Sequence, residues 1–106
     1  MILEINDQIM GTVVYGKSSI EPNGADLHAI YLSERCIGKG LGHQLYCIME
    51  DTMRTQKYRS SLLEVLTNNH RAIKFYLYHG YSVINTFTVE ENGMVLECHS
   101  MKKLLL

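Results

Sequence analysis

A glycine-rich segment ahead of a helical pattern is the clearest candidate for chemistry in this sequence. Gly38, Gly40 and Gly42 fall within one short stretch, and apolar residues recur at helical spacing directly after them. Free backbone N–H groups and the positive end of a helix favour an anion at such a turn, and glycine lets the backbone approach it closely. Taken alone, the segment fits either an anion site or a purely structural turn.

A second glycine-containing segment matches the sequence pattern of a phosphate-binding loop, but the predicted structure around it does not fit one. Residues 11–18, GTVVYGKS, match the pattern G-x-x-x-x-G-K-[ST]. A phosphate loop must curl between a strand and a helix, whereas Thr-Val-Val-Tyr favours an extended strand. We therefore expect a strand that ends in a polar turn, and no nucleotide triphosphate site here.

Cysteine and histidine spacing gives no sign of a metal site. The cysteines Cys36, Cys47 and Cys98 are far apart and contain no C-x-x-C pair, so we expect neither a zinc site nor a disulfide framework. The remaining histidines after residue 40 also lack metal-ligand spacing. We interpret them as surface or packing residues: His43, His70, His79 and His99.

Length and charge limit the classes of function. The 106 residues, 46% of them hydrophobic, fit a single domain spanning residues 1–106. A net charge of −1, with basic and acidic residues spread along the chain, gives no basic stripe, so nucleic acid is not expected as a partner. No stretch resembles a signal peptide or a membrane span, and we expect a cytoplasmic protein that does not bind membranes.

The elements that must position these residues follow from periodicity and turn signals. Short β-rich runs alternate with two amphipathic helical patterns, and Asn92-Gly93 predicts a tight hairpin near the end of the chain. The fold class is therefore α/β (α+β), with helices packed on a mixed, largely antiparallel sheet. The predicted strands are Ile2 to Ile5, Ile9 to Tyr15, Asp26 to Leu32, Ser61 to Leu66, Ser82 to Val89 and Met94 to Met101; the helices begin at Leu41 and run from Asn69 to His79.

Two blocks in this order resemble the acyl-CoA-binding core of the GNAT superfamily of N-acyltransferases. Residues 35–40, RCIGKG, have the form [QR]-x-x-G-x-[GA] and follow the strand of residues 26–32. Residues 69–81, NHRAIKFYLYHGY, look like the family element N-x-x-A-x-x-F-Y-x-x-x-G-[FY]. The resemblance covers about Ile2 to Lys103. It implies that the strand ending at Leu32 splays from the strand of Leu63 to Leu66.

The resemblance implies acetyl-CoA as co-substrate, with no metal. Backbone N–H groups of the glycine turn would hold its pyrophosphate, and pantetheine would add to the exposed strand edge. Asn69 resembles the position that bonds pantetheine, and helix N-capping is the alternative role. The implied cofactor-binding residues are Ile30, Tyr31, Leu32, Arg35, Ile37, Gly38, Lys39, Gly40, Leu41, Gly42, Asn69, Ala72, Phe75 and Tyr76.

The resemblance also implies acetyl transfer to a primary amine, on a small molecule or a protein or peptide, by direct attack in a ternary complex. Tyr76 would return a proton to the CoA thiolate, with a core tyrosine as the alternative. The backbone N–H of Leu32 would polarise the thioester carbonyl. Asp26 is the first candidate base, with a solvated strand-start carboxylate as the alternative. His28 is the second, because alternation puts it on the same face and its intrinsic pKa suits a base.

The start of the sequence departs from the family pattern. The family domain normally opens with a strand and two helices that form one wall of the acceptor groove. This sequence opens at what resembles the second strand, so we read it as an N-terminally shortened domain. We expect the uncovered apolar sheet surface to favour a homodimer. The alternative function is a non-catalytic acyl-CoA-binding module with a regulatory or interaction role.

Overall fold

The computed structural model describes residues 2–5, 8–32 and 40–105. Within them lie a six-stranded sheet, in the order β1-β2-β3-β4-β6-β5, and two helices. Every neighbouring pair is antiparallel except β3 and β4, which confirms the predicted mixed, largely antiparallel sheet. The elements are β1 (Ile2–Ile5), β2 (Gln8–Lys17), β3 (Gly24–Leu32), α1 (Leu41–Thr55), β4 (Ser60–Leu66), α2 (His70–Tyr78), β5 (Ser82–Glu91) and β6 (Met94–Leu104).

The predicted Asn-Gly hairpin forms, and β1 also pairs antiparallel with β2; residues 6 and 7, between those two strands, lie outside the described residues. Between β5 and β6, Asn92 and Gly93 have φ angles of 49° and 78°, the left-handed values that an Asn-Gly hairpin turn requires. Residues 11–17, which spell most of the phosphate loop, lie in β2 as expected.

The two central strands diverge after a short parallel contact. β3 and β4 pair at Gly24, Ala25 and Asp26, opposite Ser60, Ser61 and Leu62, and no ladder joins their later residues. Leu27–Leu32 and the second half of β4 therefore form the open end of a V. This confirms the predicted splay, which leaves strand edges without a strand partner at the place where an extended ligand can pair with them.

The core lies between α1 and one face of the sheet. α1 buries Leu45, Tyr46, Met49 and Met53, which recur at helical spacing along one side of the helix. They pack with buried strand residues such as Val13 of β2, and each such side chain contributes roughly 1.5–3 kcal/mol through burial. α2 has no fully buried residue. Among the described residues, no helix has the length and apolar character needed to cross a membrane.

One alternation within β3 differs from the sequence prediction. Strict alternation places Ile30 on the face of Asp26, but the register of β3 against β2 shifts between Leu27 and Ala29. Ile30 consequently pairs with the buried Val13 and packs against the core on the side of Leu27. An irregularity of this kind inserts one residue and re-aims the side chains that follow it.

Candidate functional site

A cavity of about 760 Å³ lies between the start of α1, the exposed side of α2 and the open end of β3. It collects residues from three elements that are far apart in the sequence. Its lining residues are Ile30, Gly40, Gly42, His43, Asn69, Arg71, Ala72, Lys74, Phe75, Tyr76 and Tyr78.

The N-terminus of α1 directs backbone N–H groups towards this cavity. Gly40 is the N-cap, with φ 74° and ψ 2°, and as a glycine it gives the helix no side-chain cap. The first helical bond runs from the N–H of Gln44 to the carbonyl of Gly40 at 3.3 Å, so the preceding N–H groups have no acceptor within the helix. The first turn contains no acidic residue. Among the residues that the structure describes, none would come within 4 Å of a Cβ at Gly40, which leaves space for an anion on their side of the turn.

α2 supplies the opposite wall. Its N-cap Asn69 accepts a hydrogen bond from the N–H of Ala72 at 3.2 Å, and Gly80 follows its C-terminus with φ 95°. Two cations on α2, Arg71 and Lys74, line the cavity, and none of its described lining residues is acidic. The cavity therefore complements a polyanion.

Tyr76 stands half-buried in this wall. Its ring meets Phe75 edge-to-face at 5.5 Å and Tyr81 at 5.5 Å with an interplanar angle of 66°. Burial raises the pKa of Tyr76, and Tyr81 adds to the shift. The phenol therefore stays protonated at neutral pH, which is the state that a proton donor needs.

Tyr81 is anchored by a buried polar network. Its hydroxyl lies 2.6 Å from that of Ser61 and 3.2 Å from that of Tyr46, and Tyr46 donates to Glu50 at 2.9 Å. Glu50 also accepts a bond from Lys103, although 53 residues separate the two. Since every polar group in this network has a partner, Tyr81 holds the ring of Tyr76 from a fixed position.

The structure brings half of the predicted cofactor-binding residues together. Ile30, Gly40, Gly42, Asn69, Ala72, Phe75 and Tyr76 line the cavity. Leu41 lies in the adjacent first turn of α1, whereas Tyr31 is exposed and outside the lining. Leu32 ends β3 at the open end of the V. Four predicted residues lie outside the described ones: Arg35, Ile37, Gly38 and Lys39.

The two candidate bases do not line the cavity. Asp26 lies at the closed end of the V, opposite Leu62 of β4 and Gly16 of β2. The Nε2 atom of His28 is 3.9 Å from the position of a Cβ at Gly16, so the imidazole lies close to the same part of the sheet. Their proposed role stays a prediction.

Sequence reasoning missed several residues of the cavity. His43 was interpreted as a surface or packing residue, yet it lines the cavity beside Gly42. Arg71, Lys74 and Tyr78 recur at helical spacing along one side of α2, and this periodicity was the signal that could have identified them. No cluster of three potential metal ligands occurs among the residues that the structure describes.

Sequence comparison relates the chain to one family. The model of the acetyltransferase (GNAT) family matches residues 1–81, which include the α1 turn and the whole of α2. Among curated proteins, none gives a significant sequence match.

Solved structures share the fold at low sequence identity. The ribosomal-protein-S18-alanine N-acetyltransferase of Escherichia coli superposes with a TM-score of 0.81 at 18% identity, over 98% of this chain and 66% of its own length. Ard1 of Thermoplasma volcanium gives 0.83 at 23% identity, over 99% and 69%. A Bacillus subtilis acetyltransferase in complex with CoA gives 0.80 at 17% identity, over 97% and 74%.

The chain thus spans about two thirds of the length of the first of these enzymes, and the common part includes the splayed sheet and both helices. The family model covers most of the chain, including both walls of the cavity. The chain belongs to the GNAT family of acetyltransferases.

Proposed function

We propose that this protein transfers the acetyl group of acetyl-CoA to a primary amine by direct attack in a ternary complex. The observation that carries the proposal is that a single cavity contains the N-terminus of α1, whose N-cap is Gly40, and the protonated phenol of Tyr76. The first fits a pyrophosphate, and the second fits a leaving thiolate. Arg71 and Lys74 add positive charge for the phosphates.

The proposed reaction balances without a covalent enzyme intermediate. The amine nitrogen attacks the thioester carbonyl carbon, and the carbon–sulfur bond breaks as the tetrahedral intermediate collapses. The phenol of Tyr76 gives its proton to the CoA sulfur, and a base takes the proton that leaves the amine. The backbone N–H of Leu32, at the end of β3, is proposed to stabilise the oxyanion.

Asp26 remains the first proposed base and His28 the second. Both residues lie on β3, whereas Tyr76 lies on α2. A base outside the CoA cavity fits an acceptor that enters from the other side of the splay. Proton transfer from the amine would then take place directly or through water.

The test is a thiol-release assay with acetyl-CoA and a pool of small amines and peptides, run on the wild type and Tyr76→Phe. We expect Tyr76→Phe to reduce kcat by about 100-fold, as loss of a general acid does, with the Kd for acetyl-CoA unchanged. Tyr58→Phe is the matched control, because Tyr58 is also a half-buried tyrosine but lies against Tyr15.

Two results would contradict parts of this proposal. Full activity in Tyr76→Phe would contradict the assignment of Tyr76 as the general acid. Saturable acetyl-CoA binding without thiol release, over a broad acceptor pool, would favour the alternative of a non-catalytic acyl-CoA-binding module.

We also propose that two copies of the chain associate through the sheet face opposite α1.

A further inference from the structure

Two histidines from different helices share a hydrogen bond at the wall of the cavity. Nδ1 of His43, in the first turn of α1, lies 2.7 Å from Nε2 of His79, the C-cap of α2, and 36 residues separate them. Two facing lone pairs would repel at this distance, so one nitrogen carries a proton and the other accepts it. The bond uses only one nitrogen of each ring.

Aromatic rings hold this pair in place. His43 stacks on Phe75 at 4.8 Å with an interplanar angle of 26°, and its edge contacts Tyr78 at 5.0 Å. The ring of His79 lies 4.0 Å from that of Tyr46. His43 also lines the cavity together with Gly40 and Gly42, so the pair adjoins the first N–H groups of α1, which have no acceptor within the helix. The pair is thus part of the cavity wall at the start of α1.

The surroundings of His79 disfavour its protonated form when the cavity is empty. Burial lowers the pKa of His79, and the nearby His43 and Lys103 lower it further, while Glu50 opposes them. A bound anion would raise the pKa of His79, because a nearby negative charge stabilises the protonated, positively charged imidazole. Among the residues that the structure describes, the charged and titratable groups around the pair are Tyr46 and Glu50 from α1, Arg71, Lys74 and Tyr78 from α2, and Lys103 from β6.

We propose that the His43–His79 pair takes up a proton when the pyrophosphate of an acyl-CoA binds, and that His43 thereby contributes a positive charge to phosphate binding. His43 is a ligand-binding residue in this account, and His79 is a positioning residue that acts through it. This inference rests on the proposed function, because it takes the cavity to be the acyl-CoA site. Acyl-CoA affinity must then rise as pH falls.

The probe must not titrate in the range where histidine does. The 3′-phosphate of CoA has a second pKa near 6, like other phosphate monoesters, so its own protonation would change the affinity. Dephospho-CoA lacks that group and keeps the pyrophosphate, whose charges are constant between pH 5.5 and pH 8.5. Calorimetric titration of dephospho-CoA in buffers of different ionisation enthalpy measures both the Kd and the protons taken up.

We expect proton uptake by the wild type at neutral pH and affinity that weakens by up to about tenfold per pH unit as the pair loses its proton. His43→Gln and His79→Phe should remove both effects, and the phenyl ring of the second variant keeps the contact with Tyr46. His99→Gln is the control, because His99 bonds Thr86 in the β5–β6 hairpin.

Each outcome separates the inference from the proposed function. Wild-type affinity that is constant with pH, without proton uptake, would overturn the inference and leave the acyl-CoA site standing. An unchanged pH dependence in His43→Gln would overturn the assignment to this pair. Absence of binding at every pH would overturn the proposed function. If the variants do not fold, an NMR titration of the wild-type imidazoles decides: dephospho-CoA must raise the pKa of the pair.

Discussion

The phenol of Tyr76 is held in its protonated form by burial and by Tyr81, which together raise its pKa above the ordinary value near 10. A general acid in this state does not limit activity on the alkaline side of neutrality. We expect kcat to rise as the base loses its proton and then to stay level up to about pH 9. A pH profile of kcat on the first active acceptor measures this. A fall that begins near pH 7 would contradict the role of Tyr76.

Glu50 should stabilise the fold most strongly above acidic pH. Burial acts to raise its pKa, but hydrogen bonds from Lys103, Tyr46 and Arg54 outweigh it and hold the pKa below the ordinary value. The stabilisation is therefore complete above the unfolded-state pKa of about 4.3 and is lost as pH falls through the folded-state pKa.

Glu50→Gln should lower the free energy of unfolding by about 1–3 kcal/mol at pH 7, as loss of hydrogen bonds to a charged group does. The difference from wild type should disappear at acidic pH. Urea denaturation at several pH values measures it, with Glu64→Gln, an exposed residue of β4, as the control. An equal loss at all pH values would show that the carboxylate charge is irrelevant.

At the residue scale, the sequence motifs named several residues that lie in one cavity, and their roles stay predictions. Gly40, Asn69 and Tyr76 were assigned from two local patterns, and the structure places all three in one cavity. The His43–His79 and Glu50–Lys103 contacts were not predictable, because 36 and 53 residues separate their members and no periodicity relates them. Such contacts follow only from how the helices pack.

At the scale of elements, the N-cap residue of α2, Asn69, has two candidate roles: it caps the helix, and it is predicted to bond the cofactor. Asn69 caps the helix through its Oδ1 and also lines the cavity. Asn69→Ala should lower the free energy of unfolding by about 1 kcal/mol, the usual cost of a lost cap. Asn69→Ser preserves a cap acceptor without adding charge to the cavity, and it removes the amide N–H₂ donor.

Comparison of the two variants separates the roles. Stability is measured by urea denaturation and acetyl-CoA affinity by calorimetry. If the amide also bonds the cofactor, Asn69→Ser should keep wild-type stability and weaken binding. Wild-type affinity in Asn69→Ser would leave capping as the only role.

Element positions were largely predictable because their signals are local. Turn residues and periodicity gave all eight described elements with small boundary differences, such as β2 extending to Lys17. The placement of β6 between β4 and β5, and the irregularity that turns Ile30 towards the core, were not predicted. Both depend on strand pairing between distant segments, which local patterns do not encode.

At the scale of the whole molecule, the sheet face opposite α1 exposes a row of apolar side chains. Register places Val14, Leu66, Val89 and Met94 on this face, and each is at least 36% exposed. An apolar surface of this kind favours association. We expect a homodimer in sedimentation velocity at micromolar concentration, and expect Leu66→Lys to shift it towards monomer. A monomeric wild type at all concentrations would contradict the dimer.

The central claim is that the turn at Gly40 holds the phosphates of acetyl-CoA, and a calorimetric titration tests it most directly. Gly40 and Gly93 have φ angles of 74° and 78°, and a Cβ at either would meet none of the described residues within 4 Å. Leucine at either position should therefore cost about the same backbone strain, 1–2 kcal/mol. We predict saturable binding in the wild type and in Gly93→Leu, and affinity at least about tenfold weaker in Gly40→Leu. Equal affinity in the two variants, or absence of binding in the wild type, would contradict the account.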